Sequence, residues 1–250
     1  MKKFGFWGRS SITKKILLCV VVLTALLGGY ISLTQVDNVI TVEDENAISQ
    51  LLGPSSEDGQ DVEKSFEKEL GIIRLVQKAV LDAIPVDAGI PHGHPREPTD
   101  LLLLGEGLCF DRSRFIEKAL RHKGFETRHI SIYSTLDTGS ALRSLLTPQV
   151  SSHAVTEVRT SRGWLVVDSN EPWISLSKDY QPLSINGLSA LNAGALEERL
   201  LSQPENFIYG AGFTFIFGLY SRHGKFYPPY HNFPDINVSE FAQNLTRLLP

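Results

Sequence analysis

Eighteen consecutive residues without a charge, Ile16 to Leu33, divide this chain. That is close to the ~20 residues a helix needs to cross the hydrocarbon core of a bilayer. Lys2, Lys3, Arg9, Lys14 and Lys15 precede the run with no acid among them, and acids follow it. Cations on one flank and acids on the other predict a cytoplasmic N-terminus and a body outside the membrane. The expected organisation is a cytoplasmic basic segment at 1–15, a transmembrane anchor at 16–34, an acidic tether at 35–60 and one domain at 61–250. The membrane is then a partner through residues 16–34, and the domain is periplasmic or extracellular. A cleaved signal peptide is the alternative. No good small-x-small site ends the run, Ala25 to Gly29 coming nearest. Cys19 fits a lipoprotein cysteine poorly, because Leu18 stands where a small residue is needed.

The formal net charge of −4 becomes −9 once the five N-terminal cations are set aside. An acidic body argues against nucleic acid as a partner, since phosphate binding needs a basic face. At 42% hydrophobic residues, enough apolar side chains remain outside the anchor for a sizeable core. The chain has two cysteines, Cys19 in the apolar run and Cys109 in the body. An intrachain disulfide between them is implausible, so a disulfide framework is excluded. Outside the cytoplasm a lone thiol is a liability, which argues that Cys109 is kept for its reactivity.

The body reads as α+β. Gln35 to Gln60 is polar and acidic, a solvated spacer with a short helix near Glu45–Leu52. From Asp61 to Ile84, Val62, Phe66, Leu70, Ile73, Val76 or Gln77, Val80 and Ile84 recur at three-and-four spacing, a helix that Pro85 ends. The Pro/Gly-rich stretch to Asp100 carries His92 and His94, which could bind a metal but have no partner at a telling spacing, so a surface loop is favoured. Gly105-Glu106-Gly107-Leu108-Cys109-Phe110-Asp111 is a turn that becomes a helix running to about His122, with Phe110, Ile116, Ala119 and Leu120 on its apolar side and Lys123-Gly124 closing it. Thr127–Tyr133 and Ser152–Thr160 alternate as strands, and Ser161-Arg162-Gly163 turns the second into a third, Trp164–Asp168. His153 and Glu157, four apart, share a face. With Arg162-Gly163 as the turn, Asp168 joins that face opposite Glu157. A helix at Leu196–Leu201 follows, then an aromatic stretch, Phe207 to Tyr220, expected to form strands of a hairpin that completes the sheet. Tyr220 to Tyr230 is a candidate substrate rim, and a helix from Val238 to Leu249 closes the chain. Asn237 and Asn244 begin Asn-x-Ser/Thr matches, of consequence only in a glycosylating host.

The order Cys109, His153, Asp168 is what carries chemistry. A thiol attacks a carbonyl well as the thiolate, which a helix N-terminus and a nearby imidazole both favour. Cys109 has the first by position, and His153 would supply the second. Asp168 could hold that imidazole in one tautomer from the neighbouring strand. The Cys109 N–H, at the helix start, would face the oxyanion. Glu157 is read as supporting the fold or the site's electrostatics.

The blocks Gly107–Asp111, Ala119–Phe125, Thr127–Ile130, His153–Val158 and Gly163–Asp168, in that order, resemble the transglutaminase-like superfamily. The resemblance spans about residues 101–170. It implies a papain-like core, a Cys-bearing helix packed on an antiparallel sheet, with Cys109 as nucleophile, His153 as base and Asp168 as orienting group. No cofactor is implied. The expected activity is a peptidase or amidase on a protein or peptide substrate, with acyl transfer to an amine and a non-catalytic envelope-assembly module as alternatives. Two departures stand out. Val155 occupies a place that is often aromatic, two residues after the His. No Trp lies between the anchor and Cys109 to supply a second oxyanion donor, a role for which His92 and His94 are the nearest substitutes.

Overall fold

The computed structural model describes residues 7–53, 65–226 and 235–248. It divides into two compact units, 1–35 and 36–250. The first is helix α1 (Trp7–Thr34), whose large apolar side chains from Ile16 to Leu27 are exposed. Its segment Lys14–Thr34 is long and apolar enough to cross a membrane.

The second unit begins with α2 (Val42–Leu52), inside the stretch expected as a tether. Thr41 and Asp44 cap it reciprocally: the Thr41 hydroxyl accepts from the Asp44 N–H at 3.2 Å, and the Asp44 carboxylate accepts from the Thr41 N–H at 2.9 Å. Lys118 reaches the same carboxylate at 2.6 Å, with both side chains buried. Ala47 and Ile48 are buried too. Part of the acidic run is therefore a domain element, because one of its acids has a buried cation to meet. Residues 54–64 lie outside the described residues.

Next come α3 (Phe66–Ala83), α4 (Pro98–Leu104) and α5 (Cys109–His122). Residues 101–104, expected only to lead into the Cys turn, are helical. The sheet contains β1 (Thr127–Ser134), β2 (Ser152–Thr160) and β3 (Gly163–Val167), with short α6 (Ala141–Ser144) between the first two. Then follow α7 (Ile185–Ser189), α8 (Ala193–Arg199), α9 (Ile208–Ala211), β4 (Phe213–Phe217) and α10 (Val238–Leu248). The strands lie antiparallel in the order β3-β2-β1-β4. The aromatic stretch thus adds one strand beside β1 rather than a hairpin. Its first part turns into α9, and Leu219 makes only an isolated bridge to Ile236.

Alternation along β2 gives the sheet two unlike faces. Ala154, Thr156 and Val158 face the helices: Val158 packs in one core with Leu165, Val167 and residues of α3 and α5, and the Ser113 and Thr156 hydroxyls meet at 3.0 Å. Val155 lies on the other face with Ile130 and Val166, under a cover that includes Trp173, Ile185 and Tyr209. Helix α5 is buried on nearly every side. Its expected polar face is buried as well, and several of its charges have partners there: Arg114 meets Glu97 and Glu117, and Lys118 meets Asp44 and Glu97. Glu157 bonds to Arg128 and accepts from the Ile185 N–H at 2.8 Å, tying the sheet to its cover. Burial pushes its carboxyl up, against the opposing charge of Arg128.

Candidate active site

The start of α5 is held by one carboxylate. Asp111, in the helix's first turn, accepts from the Leu108 N–H at 2.9 Å and from the Ile90 N–H at 3.4 Å, and pairs with Arg96. Arg96 in turn lies over the Phe110 ring, 4.6 Å from its centre. The turn before it needs its glycines. Gly105 ends α4 at φ 74°. A Cβ on Gly107 would come within 3.2 Å of Ile84 and 3.3 Å of Asp111. These contacts fix Cys109 as the first residue of α5. The first N–H groups of a helix have no intrahelical acceptor. The Cys109 N–H bonds to nothing among the described residues, leaving it free for an anion.

β3 is shorter than β2. Its residues pair only with Thr156–Thr160, so Ser152–Val155 have no strand partner on that edge. The chain leaving β3 fills the notch: Ser169 bonds to the Ala154 carbonyl at 2.6 Å, and Asp168 sits at the mouth. The hairpin loop is Ser161-Arg162, since Thr160 pairs with Gly163. That sets Val166 opposite Glu157 and shifts the register by two residues from the expected one. A two-residue shift preserves parity, so Asp168 still falls on the side of His153.

His153 Nε2 lies 2.9 Å from Asp168 Oδ2. The Cys109 thiol lies close enough to help raise the His153 pKa. Burial works to lower that pKa, but the Asp168 carboxylate outweighs it, and the ring is pushed up to about 10. Asp168 is fully buried and satisfied on both oxygens. Oδ2 also accepts from the Tyr209 hydroxyl at 2.6 Å, and Oδ1 accepts from the Asn170 and Glu171 N–H groups at 2.6 and 3.2 Å. Burial alone would raise its pKa; the His153 charge and these bonds hold it below the usual carboxylate range. By alternation His153 belongs to the sheet face away from α5. As the second residue of β2, beside the notch, its ring still reaches the start of that helix.

Several residues of this site carry no motif. Gln77 of α3 directs its amide N–H₂ at the carbonyls of Asp168, Glu171 and Trp173, at 2.8, 3.0 and 2.8 Å. It pins the loop that presents Asp168. Its one signal in sequence is a polar residue on an apolar stripe. Tyr209 lay hidden in the aromatic stretch. Tyr220, expected on a substrate rim, is instead buried, stacked on His129 with ring centres 4.3 Å apart and bonded to Glu117. Tyr227 to Tyr230 lie outside the described residues. His92 and His94 are both exposed; His92 lies 3.4 Å from an Arg96 nitrogen, and its pKa is lowered by burial and by that cation. Neither gains a partner that would make a metal site among the described residues.

No curated protein matches the chain. Among solved structures, a candidate cysteine protease from Cytophaga hutchinsonii aligns with 75% of this chain and 51% of its own length, at 12% identity and a TM-score of 0.35. The chain therefore spans about half of that protein. The family comparison is more informative. Residues 59–169, a span that holds Cys109, His153 and Asp168, match the transglutaminase-like superfamily, and the mixed helix and antiparallel-sheet core of this chain is transglutaminase-like.

Proposed function

We propose that this chain is a membrane-anchored, extracytoplasmic thiol enzyme that cleaves an amide acyl bond of a protein or peptide through Cys109, His153 and Asp168. The family match supports a cysteine-dependent enzyme in general terms. The observation that carries the specific reading is the position of His153, bonded to the buried Asp168 carboxylate by Nε2 and close enough to Cys109 for the thiol to act on the charge of the ring. The proton shared by Cys109 and His153 rests on the imidazole, whose pKa is raised to about 10, and the sulfur attacks the carbonyl carbon. The free Cys109 N–H stabilises the oxyanion. The amine leaves with the proton from His153, giving a thioester. Water then attacks, returning its proton through His153, and releases the acid and the thiol. An amine in place of water would give transfer by the same steps. Asp168 keeps the imidazole oriented and balances its charge, and Tyr209 and Gln77 keep Asp168 in place.

The test is alkylation of the purified full chain in detergent, read by mass spectrometry at the Cys109 peptide. Iodoacetamide should modify Cys109 at least tenfold faster at neutral pH than it modifies N-acetylcysteine, with His153→Ala abolishing the advantage. Equal rates, together with an unaltered cellular phenotype for Cys109→Ala, would leave only a non-catalytic module. Incorporation of a labelled primary amine would favour transfer over hydrolysis. For the anchor, a reporter fused after residue 250 should be active outside the cytoplasm, and the chain should resist alkaline extraction from membranes.

A further inference from the structure

We propose that Arg112 forms an anion-binding subsite beside the Cys109 thiol, so that the acyl substrate carries a carboxylate close to the bond attacked. The inference rests on Cys109 being the nucleophile. Arg112 follows Cys109 by three residues on α5. Helix geometry makes such side chains neighbours, about 5–6 Å apart at Cβ. Only 2% of Arg112 is exposed, and its Nε is fully buried with no hydrogen-bond partner. The terminal nitrogens also bond to nothing among the described residues, and they keep the side chain's remaining access to solvent.

This sets Arg112 apart from the other buried cations around α5. Arg96, Arg114, Lys118 and Arg128 each meet a carboxylate at salt-bridge distance. Arg112 meets none among the described residues. A buried charge without a partner is costly, and a chain that satisfies every neighbouring charge has no structural reason to keep one bare. Asp168, the carboxylate whose charge acts on it, is already filled by four donors. The Arg112 stem is fixed, its Cγ packed beneath Gly107, where a Cβ would come to 3.4 Å. The head is therefore pre-positioned. Burial lowers the Arg112 pKa, while the charges of Asp168 and Cys109 oppose that shift, which places both groups within its field. A planar guanidinium matches a carboxylate through paired N–H donors, a fit that an ammonium does not reproduce.

The probe is the pair of reagents iodoacetate and iodoacetamide, which differ by one charge. With the full chain in detergent at pH 7, the ratio of their rates at Cys109 should exceed the same ratio for N-acetylcysteine. Arg112→Gln should lower it about tenfold, the scale of one charge-assisted hydrogen bond, and Arg112→Lys should keep part of it. A ratio equal in Arg112→Gln and the native chain overturns the subsite. If Arg112→Gln does not fold, the native chain decides. Glutarate should slow alkylation of Cys109 by iodoacetamide where glutaramide does not, and equal effects of the two overturn the proposal. A Cys109 no faster than N-acetylcysteine toward iodoacetamide would sink the enzyme reading itself. A fast Cys109 with a charge-blind ratio would sink the subsite alone.

Discussion

Asp168→Asn tests the electrostatics of the site through stability. It is best made with Cys109 in place, because the thiol contributes to the raised His153 pKa. In the folded chain the His153 pKa is raised to about 10 against burial, chiefly by Asp168. In the unfolded chain it reverts to the ordinary value near 6.5. A raised folded-state pKa means that the stabilisation is fully present below about pH 6.5 and is lost as pH rises through about 10. Between pH 7.5 and 9.5 the folded chain holds a proton that the unfolded chain has released. Stability should therefore fall by about 1.4 kcal/mol per pH unit, or 2–3 kcal/mol across the window. Asp168→Asn removes the charge and leaves burial in control, so the ring is neutral when folded and the slope vanishes. Urea denaturation of the two chains in detergent, followed by tryptophan fluorescence at several pH values, measures the difference. Equal slopes with and without the carboxylate would refute the assignment of Asp168 as the group that holds His153 charged.

Tyr209→Phe removes a 2.6 Å bond to Asp168 without changing the ring, and should cost about 1–2 kcal/mol and several-fold in the Cys109 alkylation rate; an unaltered rate would separate Tyr209 from the site. Lys118→Ala leaves Asp44 and Glu97 without their shared cation, held at 2.6 and 2.7 Å. It should cost about 3–5 kcal/mol in urea denaturation, and a loss below about 1 kcal/mol would show that α2 does not dock on α5. Gly218 has φ 65°, and a Cβ there would stand 2.7 Å from Glu240 Cβ and the Phe241 nitrogen. Gly218→Ala should therefore destabilise by about 2 kcal/mol and speed amide exchange in α10, and unchanged exchange would contradict that close approach.

Much of the site was legible before the fold. The β2–β3 hairpin follows from alternation on either side of a short Gly-containing turn, and parity survives a two-residue error in register. That is why Asp168 could be set on the side of His153 while the turn itself was misplaced by one residue. The start of α5 was readable from Gly107 and Cys109. Gln77 and Tyr209 were not. Each acts through a partner more than forty residues away, and nothing near Gln77 or Tyr209 in sequence says that a carbonyl or a carboxylate waits there. The aromatic stretch misled for a related reason: its apolar content required burial, which a strand, a helical turn and an isolated bridge satisfy as well as a hairpin does.

What the sequence determined by itself was local: the apolar run at 16–34, the periods of helix and strand, the turn that starts α5, and the order of Cys109, His153 and Asp168. These depend on the geometry of a few adjacent residues, which composition and spacing encode directly. The tertiary structure decided the rest. It turned a charged helix into a buried one by supplying Asp44, Glu97 and Glu240 from distant segments. It left Arg112 without an ion-pair partner among the described residues, beside neighbours that have one. By stopping β3 at Val167 it left Ser152–Val155 without a strand partner on that edge, where the chain leaving β3 brings Asp168 to His153. Such outcomes depend on which distant groups share a low-dielectric interior, where each unpaired charge or polar group is costly, and that is a property of the packed chain rather than of any window within it.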